Sequence, residues 1–336
     1  MIIRTDPANT KLLICARHQF TEWNAKPLVA ETIRRRWPQM KVVHLPDYDQ
    51  VSAELPDADI YVGSTLRAAQ FAVAKKLKWV HSTSAGVGQL MYPELRDSGV
   101  IVTNASGIFS VPMAEHTIGL LLALARNFPD TLRQQEREVW SQQELWDKPQ
   151  HLTELNGTIL LIVGYGSIGR EVGQRAHALA MRVWGVTRSG KGDATHAEKI
   201  VAASELENVL PEADFVVLCA PETTETKSLI GAEHLARMKR GARLINVGRG
   251  SLLNEAAFIA ALKSGQLGGA AIDVTETEPL PAASPLWHAP NLFISPHTSA
   301  VSDRLWHRET NLLMELLARW FDGRELLNRV DFSRGY

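Results

Sequence analysis

The sequence contains few of the features that mark specialised proteins. Only two cysteines, Cys15 and Cys219, occur among 336 residues. Each lies within an apolar run, which predicts buried free thiols and a reducing compartment. No spacing of cysteine and histidine typical of a metal site is present. The 36 Lys and Arg residues nearly cancel the 37 Asp and Glu residues, which leaves a formal charge of -1. Because nucleic-acid and membrane-surface binders normally carry a broad basic surface, neither kind of partner is expected.

Long apolar runs are also missing. The longest stretches, such as IGLLLALA at 118–125, fall far short of the ~20 residues that a membrane-spanning helix needs. Arg4 and Asp6 interrupt the N-terminus, so the apolar core of a signal peptide is lacking. We therefore expect a soluble, cytoplasmic protein. At roughly 150 residues per domain, the 336 residues predict two domains.

Short apolar runs alternate with helical patterns in two series. The first series contains KLLICA, KVVHLP, ADIYVGS, LKWVHSTSAG and VIVTNAS, and predicts a parallel sheet. The second has six strand candidates, TILLIVG, MRVWGVT, DFVVLCAP, ARLINVG, GAAIDV and LFISPH, and predicts a doubly wound sheet. The final helical stretch at 303–323 is too short to form a domain and should pack on the N-terminal domain.

One continuous helical pattern separates the two series. It runs from Val111 to Trp140 and predicts a single helix longer than about 20 residues. Its apolar residues at helical spacing are expected in the core rather than at a ligand. These are Met113, Leu120, Leu121 and Leu124.

A glycine-rich turn opens the second series. The strand TILLIV leads directly into Gly164, Tyr165, Gly166, Ser167, Ile168 and Gly169, and a helical segment follows. In a dinucleotide-binding turn the first glycine allows the tight bend. The second lets the backbone approach a pyrophosphate, and the third lets helix and strand pack closely. Glycines also cluster in turns for steric reasons alone, but this strand and helix context predicts a dinucleotide site.

The next strand ends without the acid that binds the ribose hydroxyls of NAD. Thr187, Arg188 and Ser189 stand there instead, with Lys191 just beyond. A cation with hydroxyl donors is the arrangement that accommodates a 2′-phosphate, so NADPH is the preferred coenzyme and NADH a possible one. The alternative is that Arg188 only covers a solvated strand end.

Three other segments place an ionisable residue after a predicted strand, where open α/β sheets bind ligands. They are NVGRG with Arg249, DVTETEP with Asp273 and Glu278, and SPH with His297. Taken singly, each has a structural explanation, since a lone histidine is more often structural than catalytic. Their order and context favour a shared function.

These motifs together resemble the D-isomer-specific 2-hydroxyacid dehydrogenase family over nearly the whole chain. The matching segments are GYGSIG, NVGRG, DVTETEP and SPH, with SAGVG and VPMAEHTIGLLLALAR upstream. The resemblance implies that Arg249 binds the substrate carboxylate, that His297 donates and accepts the proton, and that Glu278 pairs with His297. Chemistry agrees, because reduction of a 2-oxo acid requires a hydride, a proton for the carbonyl oxygen and a cation for the carboxylate.

The resemblance also implies further contacts. Backbone amides of Ser84, Ala85, Gly86 and Val87 would hold the substrate carboxylate, and Asp273 would lie near the nicotinamide. The remaining residues implied to line the coenzyme cleft are Cys219, Ala220, Pro221, Val247 and Gly248.

At the level of the whole chain, the resemblance implies a Rossmann-type coenzyme domain, 106–298, inserted into a flavodoxin-like substrate domain, 1–105 and 299–336. The arm at 126–148, with Trp140 and Trp146, resembles a dimerisation segment and implies a homodimer. Within the family, Arg188 in place of the acid resembles the pattern of the glyoxylate and hydroxypyruvate reductase branch. Ketopantoate or another small 2-oxo acid remains an alternative substrate. The rival function is a non-enzymatic, NAD(H)-sensing scaffold like a transcriptional corepressor, because fold alone does not establish catalysis.

Overall fold

The computed structural model describes residues 5–147, 152–333 and 335. The chain divides into two compact units, Met1–Phe109 with Ser302–Tyr336, and Ser110–Val301. The predicted boundaries lie slightly earlier, after residues 105 and 298. The first boundary falls at Ser110 because a helix of the second unit begins there. Lys148, the last residue of the predicted arm, lies outside the described residues.

A five-stranded parallel sheet forms the centre of the first unit. Its strands are β1 (Lys11–Ile14), β2 (Lys41–His44), β3 (Ile60–Gly63), β4 (Trp79–Ser82) and β5 (Ile101–Asn104). The strand order is β2-β1-β3-β4-β5, which is the flavodoxin-like order. The helices between these strands are α1 (Pro27–Arg36), α2 (Val51–Glu54), α3 (Ala68–Phe71) and α4 (Pro93–Arg96).

The second unit is built on a larger parallel sheet. It begins with α5 (Ser110–Ala125), α6 (Phe128–Glu136) and α7 (Gln142–Asp147). The elements that follow are β6 (Ile159–Val163), α8 (Ser167–Ala178), β7 (Arg182–Thr187), β8 (Lys199–Ala202), α9 (Leu206–Val209), β9 (Phe215–Leu218), α10 (Ala232–Arg237), β10 (Ala242–Asn246), α11 (Glu255–Lys263), β11 (Leu267–Ile272) and β12 (Leu292–Ile294).

The strand order of this sheet is β12-β11-β10-β9-β6-β7-β8. It contains the doubly wound dinucleotide-binding order, with β6 at the point where the winding direction reverses. The predicted fold class is therefore confirmed for both units. The prediction of six strands missed β8, a short edge strand in which only Val201 is buried.

The prediction of one helix longer than about 20 residues is wrong. The chain leaves α5 after Ala125, and α6 begins at Phe128. Asn127 between them takes φ of 56°, outside the right-handed helical region. Pro129 lacks an N–H and restricts the residue before it, so it can occupy only the first turn of a new helix. The predicted core residues of α5 are all buried: Met113, Leu120, Leu121 and Leu124.

The last helix, α12 (Leu305–Asp322), belongs to the first unit. Its buried residues Leu313, Leu316 and Leu317 share one apolar cluster with Leu12 and Trp79 of the sheet. Leu313 and Leu317 lie one helical turn apart and so face the same side. The helix therefore completes the core of the N-terminal sheet from the far end of the chain.

Candidate active site

The glycine-rich turn, 164–169, joins β6 to α8, and its glycines have separate steric reasons. Gly164 takes φ of +96°, and a Cβ there would lie 2.5 Å from the backbone nitrogen of Ala220. A Cβ on Gly169 would lie 2.6 Å from the carbonyl oxygen of Gly164, so this glycine lets the helix pack closely. A Cβ on Gly166 would meet nothing within 4 Å. The backbone at Gly166 is therefore open to a ligand.

This open space fits the pyrophosphate of a dinucleotide. Ser167 and Ile168 begin α8, and the first N–H groups of a helix have no intrahelical acceptor. The helix dipole adds positive potential at the same end. The turn thus has the steric and electrostatic form that a bound pyrophosphate needs.

Tyr165, predicted among the coenzyme-binding residues, packs its side chain in the core, and its contact with a coenzyme stays a prediction. Its side chain is 3% exposed, and its backbone N–H donates to the carbonyl oxygen of Val186 at 2.9 Å. A Cβ on Gly173 would lie 2.7 Å from the hydroxyl oxygen of Tyr165, and a Cβ on Gly185 would lie 2.6 Å from its ring. These two glycines leave room for an aromatic side chain between α8 and β7, so the ring is directed into the core.

The end of β7 presents the predicted phosphate-binding residues on the surface. Arg188 and Ser189 are exposed directly after the strand. The Thr187 hydroxyl donates to the carbonyl oxygen of Lys191 at 3.0 Å, which closes a tight turn. Arg182 at the start of the strand pairs with Glu198 at 3.0 Å. Arg188, in contrast, has no ion pair within 4.0 Å among the described residues.

The residues after β9 and β10 lie beside the glycine-rich turn. The backbone of Ala220 approaches Gly164 as described above, and a Cβ on Gly248 would lie 2.9 Å from the carbonyl oxygen of Ala220. Burial raises the pKa of the Cys219 thiol to about 12, so this cysteine is a neutral, unreactive group. The predicted residues at this edge of the sheet are Cys219, Ala220, Pro221, Val247 and Gly248.

Arg249 is half-buried in the loop after β10. Its guanidinium donates to the carbonyl oxygen of Gly248 at 2.7 Å, and the side-chain amide of Asn246 donates to the carbonyl oxygen of Arg249 at 2.8 Å. A Cβ on Gly250 would lie 2.0 Å from the backbone of Thr275. The loop that carries Arg249 is therefore packed tightly against the loop after β11.

Glu278 and His297 form a direct pair. The Oε2 atom of Glu278 lies 2.6 Å from Nδ1 of His297, while Oε1 accepts the N–H of Thr275 at 3.0 Å. The two side chains are 36% and 48% exposed. Because the carboxylate fixes a proton on Nδ1, the other ring nitrogen, Nε2, is the one available to a substrate. Nε2 makes no hydrogen bond within the described part of the chain.

The backbone around His297 is unusual and firmly held. His297 takes φ of 53°, a conformation that is uncommon in residues other than glycine. Its N–H donates to the carbonyl oxygen of Asp273 at 2.8 Å. The Asp273 carboxylate accepts the N–H groups of Thr298 and Ser299, both at 2.9 Å. Asp273 therefore positions the loop that carries the histidine, while its contact with a nicotinamide stays a prediction.

The predicted substrate turn, Ser84 to Val87, belongs to the first unit. The carbonyl oxygen of Ala85 accepts from the side chain of Asn104 at 2.9 Å. Among the described residues, no hydrogen bond takes the N–H groups of Ala85, Gly86 or Val87. Free, adjacent backbone N–H groups of this kind can bind a carboxylate.

The described residues, 5–147, 152–333 and 335, contain neither a candidate metal site nor a candidate membrane span. No group of three or more His, Cys, Asp or Glu side chains in these ranges could hold a metal ion. None of the helices within them is long and apolar enough to span a membrane.

Sequence reasoning missed two polar residues near this edge. His116 of α5 and Ser295 after β12 lie 3.0 Å apart, although 179 positions separate them in the chain. No local pattern connects two such residues, because only the packing of α5 brings them together.

The chain is similar to known proteins over most of its length. The family model for the NAD binding domain of D-isomer specific 2-hydroxyacid dehydrogenases matches residues 118–299. The glyoxylate reductase of Korarchaeum cryptofilum is 32% identical over 301 residues, which cover 89% of this chain and 84% of the relative.

Two solved structures are similar over nearly the whole chain. A D-isomer specific 2-hydroxyacid dehydrogenase family protein from Aeromonas salmonicida has a TM-score of 0.81 and 32% identity, with 96% of this chain and 99% of that chain covered. The NADPH-dependent glyoxylate/hydroxypyruvate reductase from Sinorhizobium meliloti, in complex with NADP and sulfate, has a TM-score of 0.80 and 26% identity. The coverage is 97% of this chain and 100% of that chain. The chain belongs to the D-isomer-specific 2-hydroxyacid dehydrogenases, a family of oxidoreductases that use a nicotinamide coenzyme.

Proposed function

We propose that this protein reduces a small 2-oxo acid, of the glyoxylate and hydroxypyruvate class, to the D-2-hydroxy acid with NADPH as the preferred coenzyme. The observation that carries the proposal is the pairing of Glu278 with Nδ1 of His297 at 2.6 Å, at the sheet edge that also carries Arg249. Within this family, that set supplies an acid for the carbonyl oxygen and a cation for the carboxylate.

The residues of the chain divide the work of the reaction. The planar guanidinium of Arg249 can bind a carboxylate through two parallel hydrogen bonds and polarise the adjacent carbonyl. Nε2 of protonated His297 donates a proton to the carbonyl oxygen as the alcohol forms, and Glu278 keeps the imidazole oriented. The bound coenzyme supplies the hydride. In the oxidative direction Nε2 of neutral His297 accepts the same proton.

The turn at residues 84–87 is proposed to supply backbone N–H groups to a substrate carboxylate. Three of these groups have no partner among the described residues, as stated above, and uncharged donors bind an anion without adding net charge. Acids with short chains and a carboxylate next to the carbonyl fit such a set of donors.

The names of two relatives support the choice of substrate class. The relative from Korarchaeum cryptofilum is a glyoxylate reductase, and the solved structure from Sinorhizobium meliloti is an NADPH-dependent glyoxylate/hydroxypyruvate reductase. Ketopantoate and other small 2-oxo acids are the alternatives within the same reaction.

The direct test is consumption of NADPH, followed by its absorbance, with glyoxylate, hydroxypyruvate and ketopantoate offered in parallel. His297→Asn should reduce turnover of the preferred acid by roughly 10²- to 10⁴-fold, the scale of general acid catalysis, with coenzyme affinity nearly unchanged. His288→Asn, at an exposed histidine of the same unit, is the matched control and should retain turnover.

Three outcomes would contradict the proposal. Near-normal turnover of His297→Asn would remove the histidine from its assigned function. Preference for ketopantoate would retain the reaction and change the substrate. If the protein binds the coenzyme but consumes no NADPH with any 2-oxo acid, the coenzyme-sensing scaffold would be favoured.

A further inference from the structure

Three hydrogen-bonded side chains, those of His116, Ser295 and Asp273, lie next to the loop that carries His297, within the unit Ser110–Val301. Nε2 of His116, on α5, lies 3.0 Å from Oγ of Ser295. The Ser295 hydroxyl in turn donates to Oδ1 of Asp273 at 2.6 Å. The Asp273 side chain is fully buried and the His116 side chain is 25% exposed. The mechanism described above uses neither His116 nor Ser295.

The distances determine which group donates in each of these hydrogen bonds. A separation of 2.6 Å is typical of a hydroxyl donating to an ionised carboxylate. A serine hydroxyl has a single hydrogen, so Ser295 has none left for His116. Nε2 of His116 must therefore carry a proton and donate it to the serine oxygen. The same Nε2 lies 3.6 Å from Oδ1 of Asp273, close enough for favourable electrostatic interaction.

This assignment of donors and acceptors excludes a nucleophilic triad. In a serine hydrolase the histidine accepts the serine proton and the carboxylate orients the histidine. Here the serine gives its hydrogen to the carboxylate, and the histidine is a donor to the serine. His116 and Ser295 are therefore arranged to hold Asp273.

Asp273 connects His116 and Ser295 to His297, the proposed proton donor. Its carboxylate accepts from Thr298 and Ser299, and its carbonyl oxygen accepts from the N–H of His297. Asp273 thus binds three successive N–H groups, beginning at a residue with φ of 53°. A strained backbone persists only where its surroundings hold it, and Asp273 provides much of that support.

We propose that His116, acting through Ser295, is a positioning residue for His297. The donor on α5 fixes the Ser295 hydroxyl toward Asp273. The fixed carboxylate then holds the loop so that Nε2 of His297 meets the substrate oxygen. This inference rests on the proposed function of His297 as the proton donor.

The experiment compares kcat and KM for reduction of the preferred 2-oxo acid. His116→Leu removes the donor and should lower kcat by roughly 10- to 100-fold, up to the cost of a 1 Å misplacement of a catalytic group, with little change in KM for either substrate. His116→Gln places an amide N–H near the position of Nε2 and should recover most of the loss. Glu115→Gln, at the adjacent residue of α5 whose side chain is 65% exposed, should leave kcat unchanged.

A double-mutant cycle tests the route through the serine. Ser295→Ala should resemble His116→Leu, and the double variant should be no slower than either single variant, because residues that act as one unit are not additive. Additive losses, unchanged kcat in His116→Leu, or failure of His116→Gln to recover kcat would each overturn the inference.

A measurement independent of turnover separates this inference from the proposed function. The imidazole carbon resonance of His297, observed by NMR in protein labelled at the histidine ring, should shift or broaden in His116→Leu and recover in His116→Gln. If the wild-type protein reduces no 2-oxo acid, the proposed function fails and this resonance alone decides the positioning function. A His297 resonance identical in all three proteins would overturn the inference.

Discussion

Arg188 follows β7 with no ion pair among the described residues, in a tight turn that also holds Ser189 and Lys191. An unpaired surface guanidinium contributes little to stability, but it can make charged hydrogen bonds to a phosphate. No Asp or Glu occurs between Thr187 and Lys191 to bind a ribose diol. These local residues are the basis of the proposed preference for NADPH over NADH.

Arg188→Ala should weaken NADPH binding by roughly 1.5 to 3 kcal/mol, the range for a hydrogen bond to a charged group. NADH binding should change little, because the lost partner is the 2′-phosphate. Both dissociation constants can be measured by quenching of protein fluorescence. Arg182→Ala, at the other end of the same strand, is the matched control. Equal losses for the two coenzymes, or an effect of the control as large as that of Arg188→Ala, would refute phosphate recognition.

At the scale of secondary-structure elements, a buried polar pair connects β4 to α12. Nε2 of His81 lies 2.9 Å from Oε1 of Glu309, and the side chains are 0% and 2% exposed. Nδ1 of His81 lies 2.8 Å from the Thr103 hydroxyl, which also accepts from the indole N–H of Trp79 at 2.8 Å. Oε2 of Glu309 has no partner among the described residues. This pair links the sheet of the first unit to a helix more than 200 residues later in the chain.

Glu309→Ala should lower the free energy of unfolding of the first unit by about 3 to 5 kcal/mol, because it leaves His81 without its partner in a buried site. Urea unfolding followed by tryptophan fluorescence measures this loss, since Trp79 stacks on Trp320 in the same core. Glu315→Ala breaks partly exposed pairs with Arg319 and Arg324 and should cost less than about 1 kcal/mol.

Replacement of both members of the buried pair by leucine should cost less than Glu309→Ala alone. Apolar side chains of similar volume often replace a buried polar pair at little net cost. A loss in Glu309→Ala no larger than that in Glu315→Ala would show that the pair contributes only surface-like energy.

At the scale of the whole molecule, the segment from α6 to α7 exposes an unusual number of large apolar side chains. Concentrated apolar surface on a water-facing segment marks an interaction site. The residues are Phe128, Leu132, Val139, Trp140 and Trp146, with exposures of 52%, 54%, 51%, 88% and 74%. We propose that this surface pairs with a second copy of the chain, as the resemblance implied.

Trp140→Glu should raise the dimer dissociation constant at least tenfold, because a tryptophan at the centre of an interface commonly contributes about 2 kcal/mol or more and tenfold corresponds to about 1.4 kcal/mol. Sedimentation velocity across a concentration series measures the change. Phe20→Glu, at an apolar residue of the first unit that is 59% exposed, is the control. A wild-type protein that is monomeric at every concentration, or equal disruption by Phe20→Glu, would contradict the homodimer.

Much of the architecture could be predicted from local patterns. The five strands of the first sheet and six of the second appear as apolar runs, because burial on both faces of a parallel sheet demands continuous apolar residues. The edge strand β8 was missed because its apolar run, Ile200 to Ala203, is short and lies between the polar residues Lys199 and Ser204. The break at Asn127 was missed because the apolar spacing continues through it, even though Pro129 offered a signal.

The residues of the candidate site were also visible in the sequence, because each follows a predicted strand. Glu278 and His297 were expected to pair, and the structure places them 2.6 Å apart. The packing of the Tyr165 ring was not visible, because the two glycines that make room for it lie in α8 and β7, elsewhere in the chain. The roles of the site residues remain predictions for the experiments above.

The sequence by itself determined the strand and helix types, the glycine-rich turn and the chemical groups at the strand ends, since these depend on neighbouring residues. The tertiary structure decided which groups meet. It joins His116 to Ser295 across 179 positions and His81 to Glu309 across 228. The physical reason is that strand order and helix packing set such contacts, and a hydrogen bond between distant residues has no local pattern to reveal it.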